Sequence, residues 1–240
     1  DAGAYQDITI GSMSAAAGLD SLNTYSGLGF NSFSSALCMR FDGGVCADAW
    51  NRVWAPVGGD GQSLAELLGL DTVVVQRSML DTTSLDTTAV AAPPPSDWEL
   101  AEVTDHVAVW KRTGPDPWPA SRLSGVTGPV VVDDAAPGDA RRESVSLRRL
   151  EPGVATLTFA RLAWPGYEAT IDGRPLGIGA GPAGLLTVTI PDDVDGGVVT
   201  LTWSPPSWRR IIAVFVLGLL AGVLTEFGWR WQRRRDATAA

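Results

Sequence analysis

The hydrophobic and polar positions change rhythm along the chain. The first clear element is Ser63-Leu64-Ala65-Glu66-Leu67-Leu68-Gly69, with apolar residues at helical spacing. Ser63 followed by Glu66 has the capping-box spacing, and Gly69 supplies a C-terminal stop. Thr72-Val73-Val74-Val75-Gln76 follows as a continuous β-branched run, the pattern of a buried strand. Trp98–Val103 and His106–Lys111 alternate around Thr104-Asp105 and predict a β-hairpin with Val107 and Val109 on one face.

Beyond residue 118 the pattern is of short strands. Pro129–Val132, Glu143–Leu147, Val154–Phe159, Glu168–Ile171, Leu185–Ile190 and Val198–Trp203 are separated by Gly, Pro and Asp turns. Asp172-Gly173 is a strong two-residue hairpin signal, because both positions tolerate positive φ. Strands at this spacing predict an antiparallel sandwich. The fold expected is α+β and mainly β: a small helix–strand and hairpin lobe over 1–118, then a jelly-roll-like sandwich over 119–206.

The earlier residues are less periodic. Ile8–Ile10 reads as a short strand, Ser12–Leu19 as a weak helix, and Tyr25–Phe33 as a glycine-punctuated loop carrying Tyr25, Phe30 and Phe33. Ala47–Trp54 reads as a helix with Trp50 and Trp54 on one face. Residues 80–97 form a polar connector ending in prolines.

The last stretch is of another kind. Ile211–Leu224 is wholly apolar, and Ile211–Trp231 holds the single acid Glu226. Those residues, about 21 of them, make a helix ~30 Å long, the thickness of a bilayer's hydrocarbon core. Trp208, Arg209 and Arg210 on one side, and Trp229, Arg230 and Trp231 on the other, suit the two membrane interfaces. A transmembrane helix over 208–231 is therefore expected, with 232–240 as a basic tail. The heavier arginine flank follows the apolar run, which puts the tail in the cytoplasm and residues 1–207 outside, at the plasma membrane. The lipid bilayer would be one partner.

Composition sharpens this. The chain has 240 residues and a formal charge of −9. Six arginines cluster around the apolar run, so the remainder is more acidic still, which argues against a nucleic-acid partner. Lysine is nearly absent while arginine, alanine and glycine are abundant, a bias typical of GC-rich bacterial genomes. Cys38 and Cys46, in an exported domain, are expected to form a disulfide around a Gly43-Gly44 turn. A metal site is a poor rival, since two thiols and the distant His106 do not make four ligands.

Candidate chemistry is sparse. Gly177–Gly184 looks like a nucleotide-binding glycine loop, but Pro182 and a strand follow where a helix should begin, so a long hairpin turn is expected. Asp192–Asp195 and Asp133-Asp134 match no calcium loop and read as solvated turns. A Ser/His/Asp triad would need His106, and no Gly-x-Ser-x-Gly elbow exists. Aromatic residues are the better lead, since their faces stack on sugars. Trp98, Trp110, Trp118 and Trp164 are the candidate tryptophans outside the C-terminal belt, each with core packing as the plainer alternative.

Three stretches resemble one family. Leu162-Ala163-Trp164-Pro165-Gly166-Tyr167-Glu168-Ala169-Thr170-Ile171-Asp172-Gly173-Arg174-Pro175 resembles the Trp-Pro-Gly-Trp…Asp-Gly-x-Pro segment of the YfhO family, large bacterial multi-span proteins of the GT-C glycosyltransferase type. Ser63–Val75 is similar to that family's helix–strand. Val199–Trp208 is similar to its final strand and Pro-Pro turn. The order agrees, over roughly residues 60 to 225. Tyr167 stands where a tryptophan is usual, and the cysteine loop has no counterpart.

The resemblance implies an accessory extracytoplasmic domain of a polytopic membrane glycosyltransferase that uses a polyprenyl-phosphate-linked sugar for cell-envelope glycan modification. Its partners would be the upstream transmembrane region of the same protein and the carrier sugar or envelope glycan. The catalytic acid of such proteins lies in a first outer loop, which this chain does not contain. No catalytic residue is therefore assigned, no cofactor is expected here, and any divalent metal would belong to that catalytic region. Tyr25, Phe30, Phe33, Trp118, Trp164 and Tyr167 are the candidate glycan contacts. The alternatives are a membrane-tethered glycan-binding module without catalysis, or a structural domain of a polytopic protein.

Overall fold

A computed structural model describes residues 30–40, 43–46, 48–57, 61–76, 96–114, 121–136, 138–139 and 141–238; side chains of 209–210 and 227–238 lie outside the description. The expected strand at Ile8–Ile10, the helix at Ser12–Leu19, most of the connector over 80–97, Tyr25 and Trp118 fall outside these residues.

Short helices come first: α1 (Asn31–Ala36), α2 (Ala49–Trp54) and α3 (Leu64–Leu68). The predicted loop through Phe33 is thus corrected, because Phe30 caps a helix whose Phe33 is buried. α3 forms for the reasons its sequence gives. Ser63 Oγ accepts from the Glu66 N–H at 3.2 Å, and Glu66 Oε2 accepts from the Ser63 N–H at 2.6 Å. Gly69 ends the helix at φ 65°, a conformation glycine adopts without strain.

β1 (Thr72–Gln76), β2 (Trp98–Val103) and β3 (Val107–Arg112) make a three-stranded antiparallel sheet in the order β1-β3-β2. β1 is an edge strand with Val74 exposed, not the buried strand its β-branched run suggests. α2 covers this sheet through Trp50, Trp54, Trp98 and Trp110, whose rings meet at centroid distances of 4.8 to 5.8 Å. Trp98 and Trp110 are therefore core residues and are not available to stack on sugars.

The other strands form one antiparallel sheet. β4 (Leu123–Thr127), β5 (Val130–Ala136), β6 (Arg142–Arg149), β7 (Ala155–Leu162), β8 (Tyr167–Ile171), β9 (Arg174–Ala180), β10 (Leu185–Ile190) and β11 (Gly196–Trp203) lie in the order β4-β7-β10-β9-β8-β11-β6-β5. The two edge strands, β4 and β5, are neighbours in sequence and come together at the Gly128 turn, where φ is +89°. The sheet therefore curls nearly shut, like a barrel. The expected fold class, an α+β arrangement of lobe, two-sheet sandwich and membrane helix, is corrected to this. Strand spacing predicts antiparallel pairing but does not say whether the sheet stacks on another or curls on itself.

Two expected turns are also strands. Asp133-Asp134 sits within β5 beside a bulge, and Gly177 and Gly179 belong to β9. The Asp172-Gly173 hairpin turn is as expected, with φ of 48° and 86°. Inward residues alternate along the strands: Val145 and Leu147, Leu157 and Phe159, Leu186, Val188 and Ile190, Val199 and Leu201 fill the core. α3 packs on β4 and β7, with Leu67 set against Gly125.

The chain divides into two compact units, Asp1–Thr202 and Trp203–Ala240. The second contains α4 (Trp208–Thr238), a 31-residue helix. Among the described residues, no helix is long and apolar enough to cross a membrane. The expected transmembrane helix is corrected accordingly, and the physical reason lies in its length. The uninterrupted apolar run, Ile211–Leu224, is about 14 residues or ~21 Å, short of the ~30 Å hydrocarbon core. Reaching that thickness requires Glu226 and the arginine-bearing turn beyond it. Ile211, Val214, Phe215, Leu217 and Leu224 are exposed on α4.

Candidate functional site

The features with chemical potential gather where β7, β8 and β9 meet the turns beside them. The 3₁₀ turn Pro182–Gly184 joins β9 to β10, and Gly184 sits at φ +76°. A side chain at Gly184 would run into the Phe30 ring, so glycine allows the close approach of α1. The Ala163 N–H donates to the Gly184 carbonyl at 3.0 Å, which ties the end of β7 to the same turn.

Trp164 comes next. Its backbone N–H donates to the Leu162 carbonyl at 2.7 Å, and its ring meets Phe30 edge-on at 5.0 Å. Trp164 remains 40% exposed. Phe30 thus braces an indole that stays partly exposed to solvent. The chain turns at Pro165-Gly166 and enters β8 at Tyr167.

Behind Tyr167 lies a buried ion pair. Arg161 on β7 donates to Glu143 Oε1 on β6, from Nε at 3.0 Å and Nη2 at 2.5 Å. Nη2 also donates to the Asp139 carbonyl at 2.6 Å. Glu143 is 1% exposed. Burial works to lower the pKa of the Arg161 guanidinium, but hydrogen bonding and charge from Glu143, then Tyr167, outweigh it and raise the value. The guanidinium stays charged and holds Tyr167 through a hydrogen bond. Glu143 Oε2 has no hydrogen-bond partner among the described residues and abuts Gly138, where no side chain could fit.

The sequence offered a signal for this pair. Glu143, Val145 and Leu147 share one face of β6, so period-two alternation places a carboxylate inward. A buried carboxylate calls for a cation, and Arg161 on β7 supplies it.

Tyr167 also lines an open cleft of about 350 Å³ between β8 and β9, with Ala169, Pro175, Leu176 and Ile178 among its walls. Of the predicted contact residues, Phe30 and Trp164 meet ring to ring, and Tyr167 follows three residues later in the wall of the cleft. Phe33 does not join them, since it is buried with Leu37 and Leu64.

The other predicted positions are separate. Cys38 and Cys46 form the expected disulfide, with Cα atoms 5.7 Å apart and the Cys46 N–H donating to the Cys38 carbonyl. Trp208 opens α4 and is exposed, while Arg209, Arg210, Trp229, Arg230 and Trp231 lie on that helix with side chains outside the description. His106 sits in the β2–β3 turn, where its N–H donates to Thr104 Oγ1. Among the described residues, no group of His, Cys, Asp and Glu is placed to hold a metal ion.

Comparison with known proteins gives no match to a family model, a curated protein or a solved structure.

Proposed function

We propose that this chain is an accessory extracytoplasmic domain of a polytopic bacterial membrane glycosyltransferase, presenting a glycan-facing surface and leaving catalysis to another region. The observation that carries it is the ring contact between Phe30 and the partly exposed Trp164, three residues before Tyr167 in the wall of an open cleft. Aromatic rings braced by neighbours suit sugar rings, whose C–H faces are apolar.

Two further features support the setting. The Cys38–Cys46 disulfide fits an oxidising compartment outside the cytoplasm. The exposed apolar side chains of α4 call for an apolar environment, which lipid or the membrane-embedded part of a larger protein provides. The resemblance of 162–175 to the YfhO segment supplies the enzyme class.

The role is tested by sugar transfer from a polyprenyl-phosphate donor, comparing the parent enzyme with a form lacking residues 1–206. Loss of transfer, or of acceptor selectivity, is expected. An unchanged rate and acceptor profile would count against an accessory role.

A further inference from the structure

We propose that the cleft between β8 and β9 is a subsite for one or two rings of a neutral glycan. The proposal rests on the glycan-facing role above and says where, and by what chemistry, the sugar is held.

The register creates the cleft. β8 and β9 pair only through Ala169↔Leu176, Thr170↔Pro175 and Ile171↔Arg174, and the ladder stops there. β9 continues from Gly177 to Ala180 bonded to β10 along one edge. Its other edge over Gly177–Ala180 has no ladder partner among the described residues. The N–H and C=O groups of that edge can therefore meet a ligand as alternating donors and acceptors. Gly177 and Gly179 carry no side chains, so a ligand can come close to the backbone.

The lining completes the match. Tyr167, Pro175, Leu176 and Ile178 give apolar walls, while Glu168 and Thr170 add a carboxylate and a hydroxyl. A pyranose has the complementary make-up, with an apolar C–H face and a rim of hydroxyls that both donate and accept. The volume, about 350 Å³, lies at the small end of ligand sites and suits one or two rings.

Charge selects a neutral sugar. The Arg161 guanidinium behind Tyr167 is already matched by Glu143, Glu168 is exposed in the cleft, and the chain is acidic overall. An anionic glycan would find no spare cation in this lining.

The test uses the full chain in detergent micelles with isotope-labelled Leu and Ile methyl groups. Chitotetraose, mannotetraose, cellotetraose and arabinotetraose are titrated in turn. At least one is expected to give saturable shifts at Leu176 and Ile178. Ile178→Ala, read at Leu176, and Tyr167→Ala should each weaken that binding about tenfold, equivalent to ~1.4 kcal/mol. Ile178 is a suitable probe, since it lines the cleft and is 37% exposed, so the fold should tolerate the smaller side chain while the apolar wall is lost.

Binding that survives both variants unchanged, or shifts that saturate elsewhere, would overturn the cleft and leave the glycan-facing role standing. No shift with any of the four sugars up to ~10 mM would also overturn the subsite. The sugar-transfer comparison then judges the wider role independently. Saturable shifts with an extended peptide and none with the sugars would mark the open β9 edge as a strand-docking site and overturn the glycan assignment.

Discussion

Arg161 and Glu143 have the most to lose from a single substitution. Their contact is buried, and Arg161 also binds the Asp139 carbonyl and Tyr167. Removing one partner strands the other charge in the core. Arg161→Ala is expected to cost about 3–5 kcal/mol in urea unfolding, whereas Glu143→Leu with Arg161→Met should recover most of that loss. A loss below ~1 kcal/mol for the single variant would mean that water already screens the pair. The tryptophans teach a related lesson. Trp98, Trp110 and Trp164 are equivalent as letters in a sequence, yet the first two are buried against α2 whereas Trp164 stays 40% exposed. Alternation could have exposed the inward Glu143, but nothing local distinguishes a core indole from a displayed one, because the difference depends on packing between distant segments.

At the scale of elements, turns carry much of the definition. The β5–β6 connection is fastened by Asp139, whose Oδ1 accepts from the Arg141 N–H at 2.6 Å and the Arg142 N–H at 2.7 Å. These bonds, Arg141 first, hold the Asp139 carboxyl below its ordinary pKa against a small opposing effect of desolvation, with Arg161 and Arg142 adding favourable charge. A lowered folded pKa means that the contribution is complete above the unfolded value of about 3.9 and fades as pH falls through the folded value. Asp139→Asn should therefore be less stable than wild type at pH 7, with the gap closing below about pH 4. Melting temperatures of both proteins across pH 2–7 check this, and a gap that stays constant with pH would rule it out. Local chemistry made several elements legible: the Ser63–Glu66 capping box, the Gly69 stop and the Asp172-Gly173 turn all formed as their residues dictate. β4 and β9 were hidden because Gly125, Gly177 and Gly179 read as breakers in isolation. Inside a sheet Gly125 instead marks a bulge, while Gly177 and Gly179 pair with Thr189 and Thr187 of β10.

For the whole molecule, the sheet's closure is what sequence could not supply. Most of the strands were evident, but their order brings β4 and β5 from neighbouring positions in the chain to opposite ends of one sheet. Only long-range pairing decides that. The same curling brings β6 across from β7, so that Glu143 and Arg161 meet, whereas the local Asp172-Gly173 turn sets β8 beside β9. The site thus follows from the topology. Its aromatic members were legible as types, whereas the contact between Phe30 and Trp164 was not. α4 shows the converse: a wholly apolar run is plain in sequence, yet its length falls short of a bilayer's hydrocarbon core. The central claim is that the Phe30–Trp164–Tyr167 surface faces glycan. The most direct measurement is tryptophan fluorescence of the full chain during titration with neutral envelope oligosaccharides, run on wild type and on Trp164→Phe. The account predicts a saturable, sugar-dependent change in wild type that is lost in the variant. No change with any glycan, or the same change in both proteins, would contradict it.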